Sequence, residues 1–266
     1  MVFQKKWIPF LVIGMVLGVV IGIVLKSGLF FSDTARKKVI EDPSFSKIDV
    51  STSNAIIEII PTKNNKTVVE YSGKDGMGKN YRFDVKEKGG TLVVELKKKG
   101  WSFFNFNFSR QALRLTVEVP DKHYSLIQAK SDNGKIRAEN LQTDELVLQT
   151  DNGRIELNHI EASKIHVKSD NGRIDLQQVN GEIIGKTDNG GITLLTDHLD
   201  QSIDLSTDNG RIEIQTLNEP TNATIDADTD NGKISVFGKE NKQMTFGNGE
   251  HTIKLKSDNG RITITK

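Results

Sequence analysis

The amino-acid sequence predicts an all-β chain whose larger part is a β-solenoid, a parallel β-helix-like stack of about seven to eight coils of 18–22 residues with DNG corners. Three observations predict it. The tripeptide Asp-Asn-Gly recurs at Asp132, Asp151, Asp170, Asp188, Asp208, Asp230 and Asp258, in steps of 19, 19, 18, 20, 22 and 28 residues. A hydroxyl residue precedes every aspartate (Ser131, Thr150, Ser169, Thr187, Thr207, Thr229, Ser257), and isoleucine stands two places after every glycine (Ile136, Ile155, Ile174, Ile192, Ile212, Ile234, Ile262). Finally, apolar residues alternate with polar ones on both flanks, as in Leu146 with Leu148 and Ile155 with Leu157, the period of two that a strand with one buried face requires.

Alternation on both sides of a tight turn makes two short strands per repeat. A further apolar residue seven past the glycine (Leu141, Ile160, Val179, Leu217) marks a second corner, where the chain turns into the next coil. One coil buries too few side chains to offset the entropy of ordering it, so the copies must stack, about 4.8 Å apart. A degenerate copy, KIDVSTSNAIIEI, has Ser53-Asn54-Ala55 in place of the tripeptide and places the first coil near residue 46. Between it and the regular repeats, the runs TVVEYS, YRFDV, TLVVEL and ALRLTVEV read as antiparallel hairpins packed on the start of the solenoid. Pro120 closes the last of them.

The amino terminus reads differently. Residues 7 to 25, WIPFLVIGMVLGVVIGIVL, are nineteen residues without a charge, a helix of about 28 Å against a hydrocarbon core of about 30 Å. This predicts one N-terminal transmembrane helix. The competing reading is a cleaved signal peptide, but the apolar run exceeds the length of such a region and no small-residue cleavage site follows. The expected organisation is a transmembrane anchor over 1–26, a charged connector over 27–45, a degenerate coil and hairpins over 46–120, and the DNG solenoid over 121–266. Counting Lys26, Arg36, Lys37 and Lys38 against Lys5 and Lys6 favours an internal domain. The short tail before a long C-terminal domain is the layout of an export signal-anchor, and on that basis the expectation is a single-pass cell-membrane protein with its C-terminal domain extracytoplasmic. Gly14, Gly18 and Gly22 form a small-residue stripe that suits helix packing in a homodimer, although glycine is frequent in such helices anyway.

Composition excludes several chemistries. Lys and Arg number 36 against 35 Asp and Glu, a net charge of +1, which argues against nucleic acid as a partner. There is no cysteine, and the five histidines have no metal-ligand spacing. The corners themselves, Asp132, Asp151, Asp170, Asp188, Asp208, Asp230 and Asp258 with Gly134, Gly153, Gly172, Gly190, Gly210, Gly232 and Gly260, read as structural: Asn and Gly tolerate the left-handed backbone of a tight turn, and Asp and Asn bond nearby N–H groups. A row of aspartates invites comparison with a calcium ladder. However, a basic residue follows most of the glycines (Lys135, Arg154, Arg173, Arg211, Lys233, Arg261), and a calcium site gathers oxygens without a cation beside each. No metal and no cofactor is implied.

The segment KKKGWSFFNFNFSR sets Trp101, Phe103, Phe104, Phe106 and Phe108 between Lys97, Lys98, Lys99 and Arg110. Rings flanked by cations suit a membrane interface or a partner surface, whereas the alternation of Phe104, Phe106 and Phe108 with polar residues suits a buried hairpin.

The N-terminal anchor, the LRLTVEVP strand and the train of S/T-D-N-G-K/R-I coils resemble the bacterial "putative adhesin" domain-of-unknown-function family and, in the anchored arrangement, LiaG-like membrane-anchored cell-envelope proteins. The resemblance covers about residues 40–266 and implies a β-solenoid without an assigned catalytic residue, of a kind often linked to envelope-stress signalling. Two classes of function stand: a non-enzymatic envelope protein presenting a rigid rod to a protein, lipid or wall partner, and a carbohydrate-active β-helix enzyme or surface adhesin. Short corners and uniformly repeated acids favour the first.

The isoleucine register generates a direct test. Ile174→Asp, which puts a charge into the core of the stack, is expected to cost about 3 kcal/mol or more, while Arg173→Gln stays within about 1 kcal/mol. Thermal melts compare the two; equal losses would refute the register.

Overall fold

In the computed structural model residues 36–41, 43–73, 81–99 and 113–266 are described, and within them the chain forms nineteen strands and no helix. The reason is visible residue by residue. Nearly every strand buries alternate side chains, and those inward residues, chiefly Ile, Leu and Val, form one continuous core.

The regular part sets the pattern. Strands β9 (Ile136–Thr150), β10 (Ile155–Ser169) and β11 (Ile174–Asn189) each run from one DNG corner to the next, so a coil is a single strand bent at its second corner. They pair in parallel with like on like, Ile136 beside Ile155 beside Ile174 and Leu146 beside Ile165 beside Ile183. Later coils split at the second corner into β12 (Ile192–Thr196) and β13 (Ile203–Asn209), then β14 (Ile212–Thr216) and β15 (Ala223–Asn231), then β16 (Ile234–Val236) and β18 (His251–Asn259), with β19 (Ile262–Thr265) last. A short strand β17 (Gln243–Thr245) lies in the connection between β16 and β18.

The stack does not follow chain order at either end, contrary to the simple succession of repeats that the sequence predicts. At the C-terminal end β18 pairs with β13 on one side and β15 on the other, and β19 pairs with β14 and β16. The last coil in sequence is therefore the second from the end in space. The long final step of 28 residues provides the chain needed to go out, fold over the end and return: β17 pairs antiparallel with β15, and Phe237 and Phe246 meet edge to face at 6.0 Å between centroids.

The N-terminal end repeats this device. β2 (Lys47–Thr52) and β3 (Ala55–Thr62) form the degenerate coil read from the sequence, and they stack on β8 (His123–Ser131) and β9. On their other face lie β6 (Thr91–Lys98) and β7 (Leu113–Pro120), both parallel to them. The runs TLVVEL and LRLTVEV are thus not hairpins resting on the solenoid: they build a further coil, the ninth among the described residues, because Leu92, Val94 and Leu96 match the spacing of Ile48, Val50 and Thr52. Antiparallel strands close this end. β5 (Tyr81–Lys88) pairs with β6, β4 (Thr67–Ser72) with β7, and β1 (Arg36–Ile40) with β4. Part of the expected connector over 27–45 is therefore strand, and Phe45 is fully buried against Tyr124, whose hydroxyl donates to the Pro120 carbonyl at 2.8 Å.

One further expectation changes and another falls outside the described residues. Leu217, read as a corner residue like Leu141, Ile160 and Val179, is 65% exposed, whereas those three are buried. The preceding corner is filled by Leu199, two positions later than the spacing predicts. The transmembrane helix, with Gly14, Gly18 and Gly22, lies outside the described residues, among which no helix is long and apolar enough to cross a membrane.

The two kinds of second-corner leucine and isoleucine should separate in a melt. Ile160→Ser is expected to cost about 2–4 kcal/mol and Leu217→Ser no more than about 0.5 kcal/mol; an equal loss at both would contradict the corner packing.

Candidate interaction surface

Each position of the S/T-D-N-G corner has a separate physical task. The hydroxyl residue points inward, and its Oγ donates to the glycine carbonyl of the neighbouring coil: Thr150 to Gly134, Ser169 to Gly153, Thr187 to Gly172, Thr207 to Gly190, Ser257 to Gly210 and Thr229 to Gly260, at 2.9 to 3.2 Å. The asparagines form a ladder. Asn133 donates its amide to the Asn54 Oδ1, and Asn152, Asn171, Asn189, Asn209, Asn259 and Asn231 follow in turn, each donating to its predecessor at 2.9 to 3.1 Å. A primary amide suits this position because it both donates and accepts along one direction. At the N-terminal end Asn54 bonds the Tyr81 hydroxyl, which draws down a phenol pKa that burial pushes up; burial is the larger effect.

The glycines are required by proximity. A Cβ on Gly134, Gly153, Gly172, Gly190, Gly210, Gly232 or Gly260 would lie 1.6 to 2.0 Å from the carbonyl oxygen of the coil beside it. None of these glycines, and none of the ladder asparagines, has positive φ. This corrects the sequence-based reason for the motif, which assigned the left-handed backbone to the DNG corner. The left-handed residues stand at the other corner: Asn140, His159 and Gln178, with φ of 53°, 52° and 50°. No single residue type announces them: Asn140 and His159 are of types enriched in this conformation, but Gln178 is not.

Cations that follow the glycines pair with acids on the strand, not with the corner aspartates beside them. Lys135 reaches Glu156 at 2.5 Å, Arg173 reaches Asp175 at 2.5 Å and Arg211 reaches Glu213 at 3.2 Å, because residues two apart on a strand share a face and neighbouring coils repeat it. The aspartates take lysines from the strand before the corner instead: Lys168 to Asp170 at 3.1 Å, Lys186 to Asp188 at 3.8 Å and Lys256 to Asp258 at 3.4 Å. The hydrogen bonds to Asp170 and Asp258 raise the pKa values of Lys168 and Lys256. These pairs are exposed, so each contributes little to stability.

Against this even surface two shallow depressions stand out. One, of about 260 Å³, crosses the strands after the DNG corners and is lined by Arg137, Glu156, Arg173, Asp175, Thr193 and Leu195. Arg173, next to the gap that Gly191 leaves in the column of cations, leans across to donate to the Thr193 Oγ1 at 2.9 Å. The second, of about 550 Å³, follows the left-handed corner and includes His159, Gln178, Asn180, Glu161 and Asp197. Among the described residues no group of three or more His, Asp and Glu side chains converges as a metal-binding set would. The predicted contact residues Trp101, Phe103, Phe104, Phe106 and Phe108 lie outside the described residues.

A stack of parallel coils locked by hydroxyl and amide ladders and closed by chain at both ends defines an all-β, solenoid-like repeat domain. The sequence pattern of the Toastrack DUF4097 family matches residues 45–184 and 165–265, and the chain belongs to that family. Similar solved structures include a "putative adhesin" from Bacteroides fragilis (17% identity, 88% of this chain and 98% of that one, TM-score 0.48). Others are a "putative lipid binding protein" from Parabacteroides distasonis (12%, 87% and 97%, TM-score 0.44) and a "putative cell adhesion protein" from Clostridium sporogenes (13%, 88% and 99%, TM-score 0.43). Comparison with the curated proteins finds no match.

The glycines give the test for this architecture. Gly153→Ala is expected to cost about 3 kcal/mol or more, because the added carbon meets backbone that neighbouring coils hold in place. Gly191→Ala, whose Cβ would meet only ordinary contacts from 3.4 Å outward, should shift stability by about 0.5 kcal/mol or less. Equal effects in denaturant melts would show that coil spacing is not set at the corners.

Proposed function

We propose that the chain is a non-enzymatic, membrane-anchored interaction or scaffold protein of the bacterial cell envelope, with its solenoid on the extracytoplasmic side. The observation that carries this reading is where the chain enters the stack. β1, the first described strand, belongs to the layer that closes the N-terminal end, while residues 237–250 close the opposite one. Nine coils, hence eight steps of about 4.8 Å, hold the far cap about 38 Å from the first coil. An apolar anchor at the amino terminus therefore makes the domain a spacer with one proximal and one distal end. The aromatic segment joins β6 to β7, the strands of the coil at the proximal end, where Trp101, Phe103 and Phe104 with their basic flanks suit anionic headgroups. Family membership and the resemblance to envelope-stress proteins support the same setting.

Protease added to intact cells is expected to remove the domain, and protection until lysis would overturn the topology. Changing Trp101, Phe103 and Phe104 together to Ser is expected to leave the melting temperature of the full chain in detergent nearly unchanged and to weaken binding of its solenoid to anionic vesicles. Unfolding of the triple variant would identify the rings as core.

A further inference from the structure

The sequence contains nine Asn-Gly dipeptides, at Asn133, Asn152, Asn171, Asn180, Asn189, Asn209, Asn231, Asn248 and Asn259. This pair is the most labile in a polypeptide. The glycine backbone nitrogen attacks the asparagine Cγ, a C–N bond closes a succinimide ring, and the side-chain nitrogen leaves as ammonia with the proton from the glycine N–H. Water then opens the ring to aspartate or isoaspartate. Solvent access does not separate the seven corner sites, since all their asparagines are exposed.

Hydrogen bonding does. Asn133, Asn152, Asn171, Asn189, Asn209 and Asn259 each donate to one neighbour and accept from another, so turning Cγ onto the glycine nitrogen must break the ladder on both sides. Asn180 donates to Glu161 at 2.8 Å, and the nitrogen that would attack it, on Gly181, is bonded to the Gln201 side chain at 3.1 Å. Asn231 differs. It donates to Asn259 at 3.1 Å but stands in the outermost coil, with no further asparagine to donate to its Oδ1, and Gly232 beside it is exposed. Asn248 stands exposed in the connection between β17 and β18, outside the ladder. The Gly249 N–H donates to the Phe246 carbonyl within that turn at 3.2 Å, but unlike Asn180 the Asn248 side chain is held by no hydrogen bond among the described residues.

We propose that Asn231 and Asn248 are the deamidation sites of the folded protein, and that hydrogen bonding keeps the other seven Asn-Gly pairs inert, the ladder at six of them and the bonds to Glu161 and Gln201 at Asn180. Both sites lie on the C-terminal cap, so the molecule ages chemically from that end. Aspartate at position 231 loses the donor that faces the Asn259 oxygen, and isoaspartate adds a backbone carbon where Gly232 already approaches Gly260 to within 1.7 Å of a would-be Cβ. Either product loosens the outermost coil without touching the inner ones.

Peptide mapping by mass spectrometry after incubating the full chain at mildly alkaline pH tests this, with a parallel sample unfolded in guanidinium chloride. Asn231 and Asn248 are expected to convert in the folded protein at least roughly tenfold faster than any other site, the rate equivalent of about 1.4 kcal/mol for one further broken hydrogen bond. All nine should convert at comparable rates when unfolded. Conversion of inner ladder sites as fast as Asn231 in the folded chain would overturn the proposal, as would inert Asn231 and Asn248. Asn231→Asp provides the second readout: faster hydrogen exchange confined to residues 223–236 is expected, and unchanged exchange there would refute the loosening.

Discussion

The distance between successive glycine carbonyls at the DNG corner is the constraint on which the rest of this structure depends. Backbone meets backbone so closely there that a single added carbon would lie within 2.0 Å of oxygen at the seven repeat glycines. That contact fixes which residue of one coil sits over which residue of the next. Once it is fixed, the hydroxyl one residue before six of the seven aspartates falls within reach of the neighbouring glycine carbonyl, and the asparagine amides fall into line outside it. The isoleucines two places after the glycine then stack on each other by geometry alone. A pairing slip would turn the apolar face outward and also break both ladders, so register is specified by three coupled requirements. Solvent-facing positions have no such duty, and there the repeats vary.

A parallel stack exposes unpaired N–H and C=O groups at its two ends, and such edges invite association with other chains. Here the same solution appears at both. At the N-terminal end the chain builds the second coil from the end, then the antiparallel strands β4 and β5, then the outermost coil; at the C-terminal end the order is reversed, with the outermost coil first, then β17, then the second coil. At the C-terminal end the chain then returns, so its last strand, β19, lies between β14 and β16. The three-residue strand β16 is followed at once by a turn with positive φ at Phe237 and Gly238, and Val236 exchanges both backbone bonds with Lys239. Little open edge remains. The N-terminal edges are charged, with Arg36, Lys37 and Lys38 on β1 and Arg82, Asp84 and Lys86 on β5.

Much of this was legible in the sequence because the repeat enforces identity at its critical positions. The inward isoleucines, the hydroxyls and the glycines were all readable from spacing, and so was the degenerate coil around Asn54. The ninth coil was not, for a physical reason: β6 and β7 are joined by a long segment in place of a DNG corner, and their partners β2 and β3 lie 44 and 58 residues away, on the far side of two antiparallel strands. Local alternation looks the same in a hairpin and in a coil. Leu217 misled because the spacing rule assumes equal corners, while the later coils bend with different residues, among them Asp200, which accepts from the Thr221 and Asn222 backbone. For Asp200 burial acts to raise the pKa, and these bonds together bring it below its ordinary value. The role of the corner asparagine was half read, since its neighbour in the next coil, not its own backbone, is its main partner.

A regular surface offers every contact many times over, and that bears on where a partner can be recognised. Cations and acids two residues apart on the same face pair with each other along the rod, and with a net charge of +1 the molecule projects no strong field. Specific recognition of a partner would therefore rest on positions that the repeat does not supply in every coil. The described surface has few: the gap at Gly191 with Arg173 leaning across it, the left-handed corner at Asn140, His159 and Gln178, and the two caps. Gly191 is informative because neither positive φ nor a tight contact demands glycine there, in contrast to Gly190 beside it, whose Cβ would lie 2.0 Å from the Gly172 oxygen. One of these adjacent glycines serves the stack. The other leaves a notch in a column of cations that six of the seven repeats maintain, and nothing in coil packing accounts for it.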